Sequence, residues 1–516
     1  MTNERHLGSQ SEEHPDRPAI IMAGSGLVTT YRDLDERSNR LAHLLRNAGL
    51  RTGDHIALMM ENSSEFLEVA WAAQRSGLYY TALNSHLRRS EAQHILDDCG
   101  ATAFFISASL AEIARELDLR RIGLCIVAGG EARRFLPYND ALARWPVTPI
   151  VDEAEGREML YSSGTTGAPK GVRKVLSAAP MGDPTATPVV LAGNIARVGI
   201  DGGSVYLSPA PLYHSAPLVY SMAMHRLGAT CVVMESFEPA RCLETIERYR
   251  VTHAQFVPTM FTRMLRLKDE EKYSYDLSSL RWVVHAAAPC PVPVKQEMLE
   301  WWGMIIHEYY AGTEDIGSTA IRPEEWVAHP GSVGRPLNEV HIVGDDIEVD
   351  LPVGQTGTVY FAGGREFEYH NDPEKTGHMA NQQGWRTLGD VGYLDADGYL
   401  YLTDRASDMV ISGGVNIYPR EAEQVLATHP QVIDAAVFGV PDDEMGESLL
   451  AVVQKQLGDE TLAAADLMAW CRDRLAGYKC PRAVEFITEM PRDPSGKLFK
   501  RLLREPYWKD RSSRIV

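Results

Sequence analysis

Short apolar runs alternate with longer amphipathic stretches along this chain. Residues 19–22 form the first apolar run. Thr30 then stands where a helix cap belongs, and Leu34, Leu41, Leu44 and Leu45 recur at helical spacing before Gly49. That pattern predicts a strand followed by a capped amphipathic helix. Residues 55–60 read as a second strand and 64–76 as a second helix, ending at Gly77. Residues 91–99 predict a helix closed by Gly100, and 102–106 a buried strand. The alternation resumes later. Strands are expected at 205–207, 230–234, 254–257 and 282–284, with helices near 239–249, 259–267 and 293–301. Such alternation favours parallel sheets with helices on both faces.

The pattern changes after about Val333. Residues 357–361 and 398–402 alternate between turns, which predicts a smaller β-rich unit. From Asp408 a compact α+β pattern follows. Pro419 suits the first turn of a helix reaching about His429, residues 432–440 read as a strand, and 465–475 as a helix. The tail after Pro506 is expected to be mobile. The predicted fold is therefore α/β: a large N-terminal domain of doubly wound sheets with a small β-rich subdomain, then a mobile small α+β C-terminal domain. The boundary is placed at residues 403–407, giving domains 1–404 and 405–516. No internal repeat is evident.

Composition narrows the function classes. A chain of 516 residues is too long for one core, and 44% apolar residues supply sizeable ones. A net charge of −19 argues against nucleic-acid partners and anionic membranes. It does not bar an anionic ligand, because a local basic pocket dominates within about a Debye length. The start lacks a signal peptide's apolar core, and no run approaches about 18 apolar residues, so no transmembrane segment is expected. Seven scattered cysteines show neither a disulfide framework nor C-x-x-C spacing, which fits a reducing, cytoplasmic setting.

Candidate chemistry concentrates in Tyr161-Ser162-Ser163-Gly164-Thr165-Thr166-Gly167-Ala168-Pro169-Lys170-Gly171-Val172. Glycines let backbone N–H groups approach an anion, hydroxyls add donors, and Lys170 adds a charge-assisted one. That combination suits a polyphosphate. Its order differs from G-x-x-x-x-G-K-[ST], so the helix-dipole cradle of that motif is not implied. A flexible Ser/Gly loop is the plain alternative, but the run is short, patterned and flanked by apolar residues.

Further motifs stand in register with this loop: Pro211-Leu212-Tyr213-His214, Tyr310-Ala311-Gly312-Thr313-Glu314, Gly331-Ser332-Val333-Gly334-Arg335-Pro336, Gly389-Asp390, Thr403-Asp404-Arg405, Ser412 to Pro419, and Pro494-Ser495-Gly496-Lys497. With these the chain resembles the adenylate-forming superfamily, in its acyl-CoA synthetase and aryl-CoA ligase branch, from about His14 to Arg504. The resemblance implies two half-reactions. A carboxylate attacks the α-phosphate of ATP, giving an acyl-adenylate and pyrophosphate; a thiol, here CoA, then displaces AMP.

It also implies roles. Ser162, Ser163, Gly164, Thr165, Thr166, Gly167 and Lys170 would hold the β- and γ-phosphates. Lys497 resembles the catalytic lysine that bridges the acyl carboxylate and the α-phosphate. Glu314 would contact Mg²⁺, and Thr313 the AMP phosphate. Tyr310 would stack on adenine beside the segment of Ala288, Asp390 would accept the ribose hydroxyls, and Arg405 would hold ribose or phosphate. His214 resembles the gate between acyl and nucleotide sites. Gly413 and Gly414 match the face that admits the pantetheine arm. The departures are Ser407 at the hinge, Leu388 in place of a hydroxyl residue before Gly389, a glycine one position late at Gly312, and Arg173-Lys174 with an irregular excursion over 177–187.

The expected function is thus an ATP-dependent acyl-CoA ligase for a medium-to-long, steroid side-chain or other bulky acid, in fatty acid or lipid metabolism. A stand-alone enzyme loading a carrier protein is the alternative. A degenerate nucleotide-binding scaffold is disfavoured by the joint presence of Lys497, Glu314 and Asp390, and nothing specifically calls for luciferase-type oxidation. Oligomeric state is open, with a homodimer compatible.

Overall fold

In a computed structural model the chain is described over residues 6–162, 169–177, 179–183, 198–288, 290–344, 346–405, 408–412, 415–442, 445–455, 462–492 and 498–509. It forms two compact units, each assembled from separate segments.

The first unit comprises Met1–Phe256, Arg263–Val284 and Glu366–Gly377. One sheet runs in the order Leu136–Pro137, Leu124–Ala128, Ala103–Ser107, His55–Met59, Tyr79–Ala82, Arg157–Glu158, every pair parallel. A second runs His253–Phe256, Val205–Ser208, Thr230–Val233, Pro18–Met22, with Val28–Thr30 added as an antiparallel edge. The expected alternation and doubly wound character are therefore present. The local reason is visible at the Tyr31–Asn47 helix. Thr30 caps it and Asp33 reaches back to the Thr30 N–H, a reciprocal box that satisfies two orphan donors. Leu34, Leu41, Leu44 and Leu45 are buried, as their spacing requires. The Pro239–Tyr249 helix has the expected bounds, with proline in its first turn and Glu238 as cap.

The second unit comprises Val257–Thr262, His285–Arg365 and His378–Val516. Ile306–Ala311, Ser318–Ile321 and Arg335–Pro336 form an antiparallel ladder. The expected β-rich portion is a four-stranded antiparallel sheet of Glu339–Val343, Gly357–Ala362, Arg386–Leu394 and Leu400–Arg405. Residues beyond 408 build a further sheet from Val410–Ser412, Val415–Ile417, Val432–Asp442, Gly446–Lys455 and Ala483–Ile487, with the Pro419–Ala427, Ala464–Arg472 and Lys500–Trp508 helices. The expected boundary falls at the end of the Leu400–Arg405 strand, and residues 406 and 407 lie outside the described residues.

The tail expected to be mobile after Pro506 is described only to Lys509: that proline lies inside the Lys500–Trp508 helix, and residues 510–516 lie outside the described residues. Proline disrupts a helix mainly by clashing with the turn before it. Two adjacent side chains of the last turn bond to neighbouring strands. Trp508 Nε1 donates to the Gly439 carbonyl at 3.1 Å, and Tyr507 Oη donates to Glu485 at 2.6 Å.

Candidate active site

The two strands of the polyphosphate-type loop pair antiparallel. Leu160–Ser162 faces Lys170–Lys174 with Ser162 opposite Lys170, so the loop closes a hairpin. Ser163, Gly164, Thr165, Thr166 and Gly167 lie outside the described residues, and Ser162 is described only as part of its strand. Lys170 is half-buried and its Nζ bonds the Asp372 carboxylate. That partner pulls the Asp372 carboxyl below its ordinary range.

His214 lies in the same unit, at the N-cap of the Ser215–Arg226 helix, with its ring tilted against Tyr213 at 4.6 Å between centroids. The loop leading to it is pinned by Asn62, a residue that motif reading missed. Asn62 Oδ1 accepts the Leu212 N–H at 2.7 Å, while its Nδ2 donates to the carbonyls of Ala210 and Met234. One amide thereby uses both its faces to set the start of the His214 segment.

The second unit brings several expected residues together. Tyr310, on the Ile306–Ala311 strand, donates from Oη to Asp390 Oδ2 at 2.5 Å. Asp390 is 7% exposed and stands opposite Arg405 in the ladder; nothing is described of the Arg405 side chain. Thr387 pairs with Tyr360 and Val391 with Thr358, so residues 388–390 stand opposite Val359 alone. That is a bulge, and bulges re-aim a side chain. Gly389 makes it feasible at φ +78, and its N–H donates to Thr387 Oγ1 at 2.9 Å.

Glu314 follows Thr313 in the turn after that strand and is 9% exposed. A Cβ on Gly312 would lie 2.8 Å from Glu314 Oε2 and 2.7 Å from Leu388 Cδ2. Gly312 is thus the gap over which Glu314 and Leu388 close, and two departures from the family pattern prove to be one packing solution. Ala288 is half-buried and follows Ala287, which sits at φ +72. A left-handed alanine costs on the order of 1–2 kcal/mol, and such strain gathers at ligand sites. Lys497, Gly413 and Gly414 lie outside the described residues.

Glu314 offers a hard carboxylate oxygen, the donor that Mg²⁺ takes alongside water and phosphate, so the residue fits the ion the resemblance implies. Among the described residues, one group of metal-ligand type, His329 with Asp395 and Asp397, is a capped turn. Asp395 Oδ1 accepts the N–H groups of Asp397 and Tyr399, and Oδ2 meets His329 Nδ1 at 3.1 Å.

Residues 7–366 match the family described as AMP-binding enzyme, and residues 421–497 match the AMP-binding enzyme C-terminal domain. The chain belongs to the AMP-binding enzyme family. Within it, feruloyl-CoA synthase of an Amycolatopsis species is 33% identical over 494 residues, spanning 95% of this chain and 96% of that one. Fatty acid–acyl-carrier-protein ligase of Streptomyces coeruleorubidus is 30% identical over 525 residues, spanning 98% and 96%. The solved structure of Bacillus subtilis o-succinylbenzoate CoA synthetase, in complex with its acyl-adenylate intermediate, matches with a TM-score of 0.81 at 27% identity, covering 97% and 98%. This AMP-binding enzyme is accordingly an adenylate-forming acid–thiol ligase of the CoA-ligase branch. Among the described residues, no helix is long and apolar enough to cross a membrane.

Proposed function

We propose that this enzyme is an ATP-dependent acyl-CoA ligase acting on a bulky or medium-to-long monocarboxylic acid. The observation that carries the reading is the Tyr310–Asp390 hydrogen bond, with Glu314 in the turn that follows Tyr310 in the same unit. In the proposed first step a carboxylate oxygen of the acid bonds the α-phosphorus of ATP, and the bond to the β-phosphate bridge oxygen breaks, releasing pyrophosphate. In the second, the CoA thiol loses its proton, its sulfur bonds the acyl carbon, and AMP leaves with the anhydride oxygen.

Two anions meet in the first step, so charge neutralisation carries the chemistry. Lys497 supplies a compact positive charge at the α-phosphate, and Lys170 with the hydroxyls of its loop holds the leaving pyrophosphate. Glu314 would hold a Mg²⁺ ion, whose charge would screen the polyphosphate. Tyr310 and the Ala288 segment take adenine, Thr313 the phosphate of AMP, Asp390 and Arg405 the ribose side. His214 gates the acyl pocket, and Gly413 and Gly414 line the thiol's path. The part from residue 405 onward moves between the two steps. Seven free cysteines support a reducing, cytoplasmic setting.

Asp390→Ala removes charge-assisted hydrogen bonds to the ribose, each worth about 1.5–3 kcal/mol. The expected result is a KM for ATP raised by about tenfold to a hundredfold, with KM for the acid little changed; initial rates at varied ATP check it.

A second reading has a specific support: one relative is named a fatty acid–acyl-carrier-protein ligase. The deciding experiment supplies a panel of carboxylic acids with MgATP, and either CoA or a phosphopantetheinylated carrier protein, reading AMP release and thioester mass. Acyl-CoA formed without carrier protein supports the first reading. Thioester formed only on the carrier replaces it with the second.

A further inference from the structure

The second unit holds a buried charge cluster that none of the assigned roles uses. Lys295, on the Val292–Trp302 helix, is fully buried. Its Nζ donates to Glu308 Oε2 at 2.6 Å and lies 4.8 Å from the centre of the Trp326 ring. His285, also fully buried, brings Nε2 to 3.3 Å from the same Glu308 oxygen. The edge of the Phe261 ring system meets the imidazole at 5.5 Å between centroids. Burial alone would push the Glu308 carboxyl up, but His285 and Lys295 together outweigh it and hold the group at about 2. Burial lowers the His285 imidazole, against the opposing pull of Glu308.

Such a cluster is a poor way to gain stability. Withdrawing each ion from water costs several kcal/mol, and apolar side chains of similar volume often serve the fold as well. What the cluster supplies is direction, because a buried Lys295–Glu308 hydrogen bond with the His285 ring against the same carboxylate admits few arrangements. It also stands where direction matters. Glu308 and Tyr310 are two residues apart on the Ile306–Ala311 strand, so their side chains leave it on the same face. His285 immediately precedes the Ala286 to Ala288 segment, whose Ala287 is held at φ +72. The cluster therefore ties the strand that carries Tyr310 to the segment that carries Ala288, and Lys295 and Trp326 brace the link from two helices.

We propose that Lys295, Glu308 and His285 are positioning residues for the nucleotide, setting the spacing between Tyr310 and the Ala286–Ala288 segment that together receive adenine. The proposal rests on the nucleotide roles assigned to Tyr310 and Ala288 above.

Titration calorimetry with MgATP on the full chain tests it without requiring the acid. Lys295→Met combined with Glu308→Leu removes both charges at similar volume, so Tm should stay close to that of the parent. The dissociation constant for MgATP should rise about tenfold, within the range by which residues acting at a distance shift binding. Glu308→Gln, which keeps an acceptor for Lys295, is the second variant, and it should lie between the parent and the double variant. A folded double variant, or a folded Glu308→Gln should the double variant not fold, that binds MgATP like the parent would overturn the positioning role. If the parent itself fails to bind MgATP, the nucleotide assignment beneath the proposal is what fails.

Discussion

Lys497→Ala is expected to slow acyl-adenylate formation by about 10²–10³-fold, the scale on which losing one preorganised charge-stabilising donor acts. At the α-phosphate the entering carboxylate and the phosphate both carry negative charge, and the transition state concentrates it on the oxygens around phosphorus. A lysine placed there acts as a point charge on a long stem, and alanine leaves water in its place. The effect should be confined to the first half-reaction. Exchange of labelled pyrophosphate into ATP, driven by the correct acid, reads that step alone, and it should collapse. Thioester formation from chemically prepared acyl-AMP should continue at close to the parent rate. Undiminished exchange would remove Lys497 from the first step.

Gly414→Leu is expected to give the mirror image: adenylate formation near the parent rate, and thioester formation slowed by about a hundredfold, the cost of displacing a reacting group by about 1 Å. The argument is steric. A glycine face lets a thin pantetheine arm pass, and an isobutyl group fills that space. Single-turnover measurement with preformed acyl-AMP and CoA, reading acyl-CoA by mass, isolates the step. Equal loss in both half-reactions would mean that the substitution damages the fold or the nucleotide site, and the thiol path would then need another location. Together the two variants separate the chemistry of activation from that of transfer.

How much of this was legible beforehand depended on the range of the interactions concerned. Helix starts could be read because a cap is an i, i+3 affair: Thr30 and Asp33 lie close enough in sequence for their side chains to find each other's N–H groups once a helix begins. The Pro239–Tyr249 helix was readable for the same reason, with cap, proline and apolar face all within one stretch. That Pro506 lies inside a helix had no local signal, and the Trp508 bond to the Gly439 carbonyl in its last turn joins residues 69 positions apart. Asn62 gave no signal, since its partners Ala210, Leu212 and Met234 lie some 150 residues or more further along the chain.

The sequence by itself determined the fold class, the order of strands and helices, and the family, because apolar periodicity and short motifs are carried by neighbouring residues. It named Tyr310, Thr313, Glu314 and Asp390 as candidates one by one. Only the tertiary structure decided how some of them meet. The bulge that turns Asp390 toward Tyr310 exists because a strand more than twenty residues away pairs out of step with it. Gly312 and Leu388 looked like two unrelated departures, and they are one close contact, because the chain brings a glycine without a side chain under a leucine 76 positions later. Lys295, Glu308 and His285 had no motif at all. Their roles come from being buried together, and burial belongs to the folded chain rather than to any stretch of it.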